Sequence, residues 1–483
     1  VHFQKRKLPR RLIMLKKNLI ISAVVFAGCA VGPDYKRPDL DIPNQWQESL
    51  ADIGIIGDKN WWRSFNDPNL DKLIERALNS NLDIKAATAR VEQFYNLYGV
   101  TRSQLFPDIS LKGSYTKGQG SQSAIPAATA DSIDRFDAAG LLSWELDIWG
   151  QLRREVEGAN ANLRAQEEIR RGVIVSIISS LVTAYVDLAE LDQRLIIARE
   201  TFLSRSSALD IARMRLDSGL ISELEVKQAE AEMISVQVGI PLLEAGISQR
   251  ENLISVLLGV APQKIERGLP LAALRESIVI PPGLPSEIIE NRPDIKQAEQ
   301  ELISANAAIG VAKGEYLPRL RLTGFYGFAS SELSNWLKSP AEQWAYGGDL
   351  LQPVLNFGRV SGRVGAAEAK AEVARDNYKQ SVLTALKEVE DSLISIRKYR
   401  EQIGLLTQQA DVAGQYFALS DAKYNEGESD YLDVLDAQRL AFSVSNERAK
   451  AEADFLRSYI RLYRSFGGGW IREAEELTPP PSM

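Results

Sequence analysis

Histidine and cysteine are almost missing from this chain of 483 residues: it holds one of each, His2 and Cys29, both within the first thirty positions. A thiol nucleophile, a zinc cluster and a histidine general base therefore have no side chains to draw on in the body of the chain. A single cysteine also excludes an internal disulfide. A carboxylate-based enzyme stays open, but it needs a carboxylate pair in a concave pocket, which a sequence does not display. Proline is absent from 151–218 and from 359–426, and the first of these stretches has only Gly158 and Gly172. Without breakers each reads as one long helix, about 100 Å at 1.5 Å per residue. That exceeds any globular core helix, so neighbours must pack along it as in a coiled coil. An uninterrupted apolar run long enough for a spanning helix is lacking too. Val173 to Leu188 comes nearest, but Ser and Thr interrupt it, and it reads as a buried helix face.

Positive charge is in deficit overall, with a formal net charge of −7. Residues 1–28 carry seven Lys or Arg and no carboxylate, so their removal leaves −14. An acidic mature chain argues against a nucleic-acid partner. Those residues read as an export signal: Lys16 and Lys17 form a basic start and Leu19 to Ala27 an apolar core too short for an anchor helix. Met14 is a candidate start. Phe26-Ala27-Gly28-Cys29 resembles a bacterial lipobox, with Phe26 in place of the usual Leu, so Cys29 is the expected lipidation site. Ala30 follows it, and in the lipoprotein pattern that this stretch resembles, a residue other than Asp there implies sorting to the outer membrane.

Two halves of the chain match when shifted. Asp83-Ile84-Lys85, Gly99, Pro107, Gly113 and Tyr115 recur as Asp294-Ile295-Lys296, Gly310, Pro318, Gly324 and Tyr326, an offset of 211. Gly150, Gly219, Leu224, Val226, Ala229 and Gly259 recur as Gly358, Gly427, Leu432, Val434, Ala437 and Gly467, an offset of 208. Ordered matches of this kind indicate duplication. Each half begins with a helical stretch, 67–105 or 284–316. Two alternating segments follow, then the long helix, then a shorter return, 220–259 or 429–466. By length, 220–259 would stack on 284–316 and 429–466 on 67–105, with the proline-rich link between halves part-way up a column.

The alternating segments read as strands. Ile109, Leu111, Gly113 and Tyr115 share one face against Ser110, Lys112, Ser114 and Thr116. Phe136 to Leu146, Leu320 to Tyr326 and, more weakly, Trp344 to Leu350 repeat the dyad. This suits a membrane β-barrel, and equally two soluble hairpins with one wet face. Four strands cannot close a barrel, and an open edge cannot sit in lipid. If the strands are in a membrane, three copies would supply twelve.

Several stretches resemble one family, the TolC-type outer membrane factors in their lipoprotein, NodT-type branch. They are Cys29 to Tyr35, Trp61-Trp62 through Phe65, Asp67 and Leu70, then Asn81 and Asp83, and the two turns Ser218-Gly219-Leu220-Ile221 and Leu432-Asp433-Val434-Leu435-Asp436-Ala437. The resemblance implies a mixed α+β, mostly α fold: a long periplasmic α-helical barrel plus a transmembrane β-barrel of four strands per protomer and twelve per trimer. The implied segments are a signal, 1–28; a lipidated segment, 29–66; a first repeat, 67–259; an equatorial linker, 260–283; a second repeat, 284–467; and a C-terminal tail, 468–483. The implied function is a passive trimeric conduit exporting small molecules in a tripartite efflux pump, with no catalysis, cofactor or metal. Implied partners are a homotrimer, a periplasmic adaptor protein, an inner-membrane pump of the resistance-nodulation-division type, and outer-membrane lipid. By motif match Asp433 and Asp436 narrow the periplasmic entrance, Glu225 is the matching acid of the other half, and Tyr424 is a closed-state helix contact. Ser429 stands where some members have an Arg, which leaves any particular salt-bridge lock open. A bland reading stands beside this one: two carboxylates three apart on one wet helix face. The other readings kept are the duct of a type I protein secretion system and a lipid-anchored periplasmic coiled-coil scaffold without a pore.

Overall fold

A computed structural model describes residues 30–43, 45–47, 61–119, 133–276 and 291–467. Cys29, the signal 1–28, the linker beyond Glu276 and the tail 468–483 lie outside the described residues. The elements run α1 (Pro68–Ser80), α2 (Leu82–Ser103), β1 (Asp108–Gly118), β2 (Ile133–Leu146), α3 (Gln151–Asp217), α4 (Glu223–Leu257), α5 (Leu271–Glu276), α6 (Pro293–Gly314), β3 (Arg319–Ser330), β4 (Glu342–Leu351), α7 (Arg359–Glu426) and α8 (Tyr431–Ser465). The two long helices have 67 and 68 residues and the two returning helices 35 each. The chain divides into two compact units, one of Val1–Pro38, Glu92–Ala165 and Ala298–Tyr378, the other of Asp39–Val91, Gln166–Gln297 and Lys379–Met483.

The first unit holds the sheet, antiparallel throughout in the order β1-β2-β3-β4. Its register aligns the dyads strand by strand. Leu111 faces Gly140 and then Tyr326 and Trp344, while Ile109 faces Leu142 and then Gly324 and Tyr346. Tyr115 stacks on Phe136 at 4.9 Å and Trp344 on Tyr346 at 5.8 Å. This apolar face has no cover among the described residues: Leu111 is 90% and Tyr346 83% exposed. The opposite face aligns Ser143 with Thr323, and Glu145 with Arg321 and Asp349.

The same unit carries the N-terminal strand of chain as a strap. Val31 N–H bonds to Trp149 O at 2.8 Å, and Gly32 packs backbone to backbone on Gly310, where an added Cβ would come within 2.5 Å of Cα. The buried Arg154 pairs with Asp34 at 2.6 Å and with Glu157 at 2.8 Å. Tyr35 donates to Glu299 at 3.0 Å and Arg37 at 2.6 Å, and these bonds hold the Glu299 carboxyl below its usual range against the opposing effect of burial, the largest influence on it.

The second unit has the aromatic core. Trp61 stacks on Tyr463 at 5.2 Å, and Phe65, fully buried, meets Tyr459 edge-on at 5.9 Å. Trp61 and Trp62 are thus buried packing residues. The run from Ile174 to Leu188 is buried as a helix face, as its Ser and Thr content indicated.

The structure corrects the pairing of helix ends. The first helical stretch breaks at Asn81, whose carboxamide oxygen caps α2 by accepting from Asp83 N–H at 2.9 Å. Its amide donates to Leu257 O at 2.9 Å, and Ser80 Oγ to Leu258 O at 2.7 Å. So α4 ends on the α1–α2 junction of its own half, not on 284–316. Likewise Arg292, just before α6, donates to Ser465 O at the end of α8 at 3.0 Å. Both pairings sum to about one long helix, so length could not choose between them. The choice is made by polar side chains that satisfy the orphan carbonyls of a helix end.

Replacing Phe65 by Ala should cost about 3–5 kcal/mol through the cavity left among Trp61 and Tyr459. Urea unfolding followed by near-UV circular dichroism measures it, and a loss below about 1 kcal/mol would show that the aromatic cluster is not core.

Candidate functional site

The candidate site lies where two helical hairpins turn, both in the second unit. At the α3–α4 turn Gly219 adopts φ +71°, and Leu220 N–H reaches back to Arg215 O at 2.9 Å. At the α7–α8 turn Gly427 adopts φ +80°, and Glu428 N–H reaches Lys423 O at 2.8 Å. A left-handed residue with this bond closes a helix while satisfying its last carbonyls, and glycine does so without a Cβ penalty. Leu209, Ala212, Val226, Ala229, Tyr431, Val434 and Leu435 form the apolar core that joins the hairpins.

Asp433 and Asp436 both lie on the exposed side of α8, while Val434, Leu435 and Ala437 between and beside them are buried. Burial lifts the Tyr416 phenol above its ordinary value, helped by Asp436 and Asp433, and its hydroxyl donates to Asp436 Oδ2 at 3.4 Å. Glu225 is half-buried and accepts from the N–H and hydroxyl of Ser222 at 3.3 Å each. It sits three residues past the cap, as Asp433 does past Asp430, where a carboxylate also opposes the positive end of the helix dipole. Tyr424 packs on Tyr431 at 5.1 Å, beneath the Arg215 guanidinium 4.7 Å from its ring centre. Arg215 also donates to Asn425 at 3.0 Å, tying the end of α3 to the end of α7. Glu225 and Tyr424 line one shallow hollow of about 580 Å³ between the turns, and Asp433 and Asp436 lie outside it.

Three residues that the sequence did not single out hold the hairpins together. Arg205 of α3, 3% exposed, pairs with Glu232 of α4 at 2.9 Å and donates to Ser235 Oγ at 3.0 Å. Arg439 of α8 donates to the other oxygen of the same carboxylate, through Nε at 2.9 Å. Glu232 therefore bridges two guanidinium groups from two hairpins. Burial presses the Arg205 pKa down, Glu232 resists, and Arg439 adds to the depression. The Tyr431 phenol, nearby, is pushed up to about 12, chiefly by burial. No motif marks this triad, because each residue alone looks like a charge on a helix surface.

Paired long helices, an uncovered two-faced sheet and turns capped by left-handed glycines are the parts of an outer-membrane channel subunit. The model of the outer membrane efflux protein family matches residues 73–260 and 284–468, and the chain belongs to that family. It is similar to the solvent efflux pump outer membrane protein SrpC of Pseudomonas putida, 32% identical over 468 residues that cover 93% of this chain and 97% of the relative. Nodulation protein T of Rhizobium leguminosarum bv. trifolii is 28% identical, covering 93% and 96%. Among solved structures, the outer-membrane channel OprN superposes with a TM-score of 0.84 at 31% identity, covering 92% of this chain and all of that one. The open state of the Neisseria gonorrhoeae MtrE channel gives 0.82 at 25%, covering 92% and 99%.

Substituting Glu232 by Gln should strand the buried Arg205 charge and cost about 3 kcal/mol in chemical denaturation. Arg439→Gln, at an exposed position, should cost less than about 1 kcal/mol. Equal losses would mean that the triad is not asymmetric as its burial indicates.

Proposed function

We propose that this protein is the outer-membrane channel of a tripartite efflux system, a passive trimeric conduit for small molecules with no catalytic step of its own. The carrying observation is the sheet: an uncovered aromatic face, a polar face and two unpaired edges. A lipid bilayer accepts the first, a water-filled lumen the second, and only closure with further copies removes the third. Three copies give twelve strands, within the range of such barrels. Membership of the efflux family and relatives named for solvent and toluene efflux support small, largely apolar cargo. No observation favours a protein-secretion duct, and a poreless scaffold has no use for an exposed aromatic face.

In this reading Cys29 carries lipid, and the strap from Ala30 to Arg37 runs back from that anchor along the sheet-bearing unit. Export energy comes from an inner-membrane pump, met through a periplasmic adaptor that docks at the Gly219 and Gly427 turns. Three-fold symmetry sets Asp433 and Asp436 as stacked rings of like charge at the entrance, which draw cations and repel one another. Tyr424, clamped under Arg215, holds α7 to α3 while the entrance is closed. Glu225, capped to Ser222, serves the turn first and the entrance field second.

Single-channel currents from the purified trimer test the entrance. The wild type should show a small, cation-selective conductance, and Asp433→Asn, Asp436→Asn together should enlarge it or abolish its selectivity. An unchanged conductance and selectivity would remove these residues from the constriction. Arg placed at Leu111, on the aromatic face, should cost about 2–4 kcal/mol of insertion if that face meets lipid. The yield of heat-resistant oligomer in outer-membrane fractions reads this, and an undiminished yield would turn that face away from lipid.

A further inference from the structure

Phe325 breaks the alternation of β3, standing on the polar face between Thr323 and Gly327. Its cross-strand neighbours on that face are Leu141 and Ala345. One rung further, Lys112, Ala139, Gly327 and Gln343 align across all four strands. The two central members of this rung offer a methyl group and nothing, so the rung is a trough between longer side chains. It cannot be filled by substitution, since a Cβ on Gly327 would fall 2.1 Å from Ala138 O and 2.7 Å from Ala139 Cβ. The resulting hollow measures about 550 Å³, with Phe325 and Leu141 on one wall and Arg135 and Asp137 on the other.

Its charge is unbalanced. Arg135 pairs with Asp137 at 3.0 Å, whereas Lys112 has no carboxylate partner among the described residues. A wetted lumen wall gains nothing from an apolar Phe–Leu pair, which water solvates poorly. An aromatic ring laid on that pair would be desolvated there, and an acid group on the same ring would meet the Lys112 ammonium.

We propose that this hollow is a lumenal binding site for aromatic organic anions, one per protomer, where an apolar ring rests on Phe325 and Leu141 and its acid group faces Lys112. The site rests on the reading above that the polar face lines the channel. It gives anionic amphipathic cargo a stop on its way through the barrel lumen, and it discriminates by charge and aromaticity where the entrance acts by charge alone.

The test is block of single-channel current in the full-length trimer by 1-naphthoate, with acetate and the neutral 1-naphthylmethanol as comparison probes. Naphthoate should block in a concentration-dependent way and both comparison probes far more weakly. Lys112→Gln and Phe325→Ser should each weaken naphthoate block about tenfold, the equivalent of about 1.4 kcal/mol. Naphthoate acting no more strongly than acetate, or blocking Lys112→Gln as it blocks the wild type, overturns the site. Lys112 is exposed at the edge strand, so that variant carries the test even if Phe325→Ser does not assemble. Absence of current from every sample would count against the channel reading instead. Binding of fluorescent naphthoate to the detergent-solubilised protein then decides the site: affinity weakened by Lys112→Gln supports it, and no binding overturns it.

Discussion

Backbone N–H and C=O groups along the edges of a sheet must find partners when no water can reach them. The sheet of this protein has two edges, β1 and β4, that have no partner strand among the described residues. Its faces carry opposite chemistry in strict register, so a single-residue slip would turn Leu111, Tyr326 and Trp344 to the wet side and Lys112 and Arg321 to the lipid side. Closure with further copies of the chain, as proposed, would answer the edge problem and create a lumen at the same time. Function in this account is a consequence of an unfinished barrel.

The helices solve a different problem. Helices of 67 and 68 residues cannot stand alone, and each hairpin therefore returns a partner of 35. The returning helices end after 35 residues, and carbonyls at their ends are met by Asn81 and Arg292. At the turns, an apolar cluster and the Arg205–Glu232–Arg439 triad join the hairpins. A triad around one carboxylate is held by charge and geometry, not by close packing. Such a contact is strong when dry and weakened by water.

Much of this was legible in the residues. The dyads of β1 to β4 and the proline-free stretches name the elements, because strand period and helix breakers act locally. The left-handed glycines 219 and 427 were visible as matched positions of two halves. Which helix end meets which was not legible: the decision rests on Asn81 and Arg292, whose roles depend on carbonyls far away in sequence. The residues proposed for the entrance divide the same way. Asp433 and Asp436 are on the exposed side of α8 as a helix period of 3.6 places them. The capping role of Glu225 follows from Ser222 three residues before it. The triad and the Phe325 hollow escaped because burial, charge balance and cross-strand register are properties of the assembled fold.

Disulfide trapping across the open edges tests the central claim most directly. With Cys29 replaced by Ser, single cysteines on the polar face of β1, at Ser110 or Ser114, are combined with single cysteines on that face of β4, at Gln343 or Gly347. These edges lie at opposite sides of one sheet, so no bond can form within a protomer. Barrel closure by copies predicts that at least one pair, oxidised in outer membranes, gives covalent dimers and trimers that reductant collapses to monomer. Only monomer from every pair, in protein confirmed as folded, would contradict closure and with it the channel.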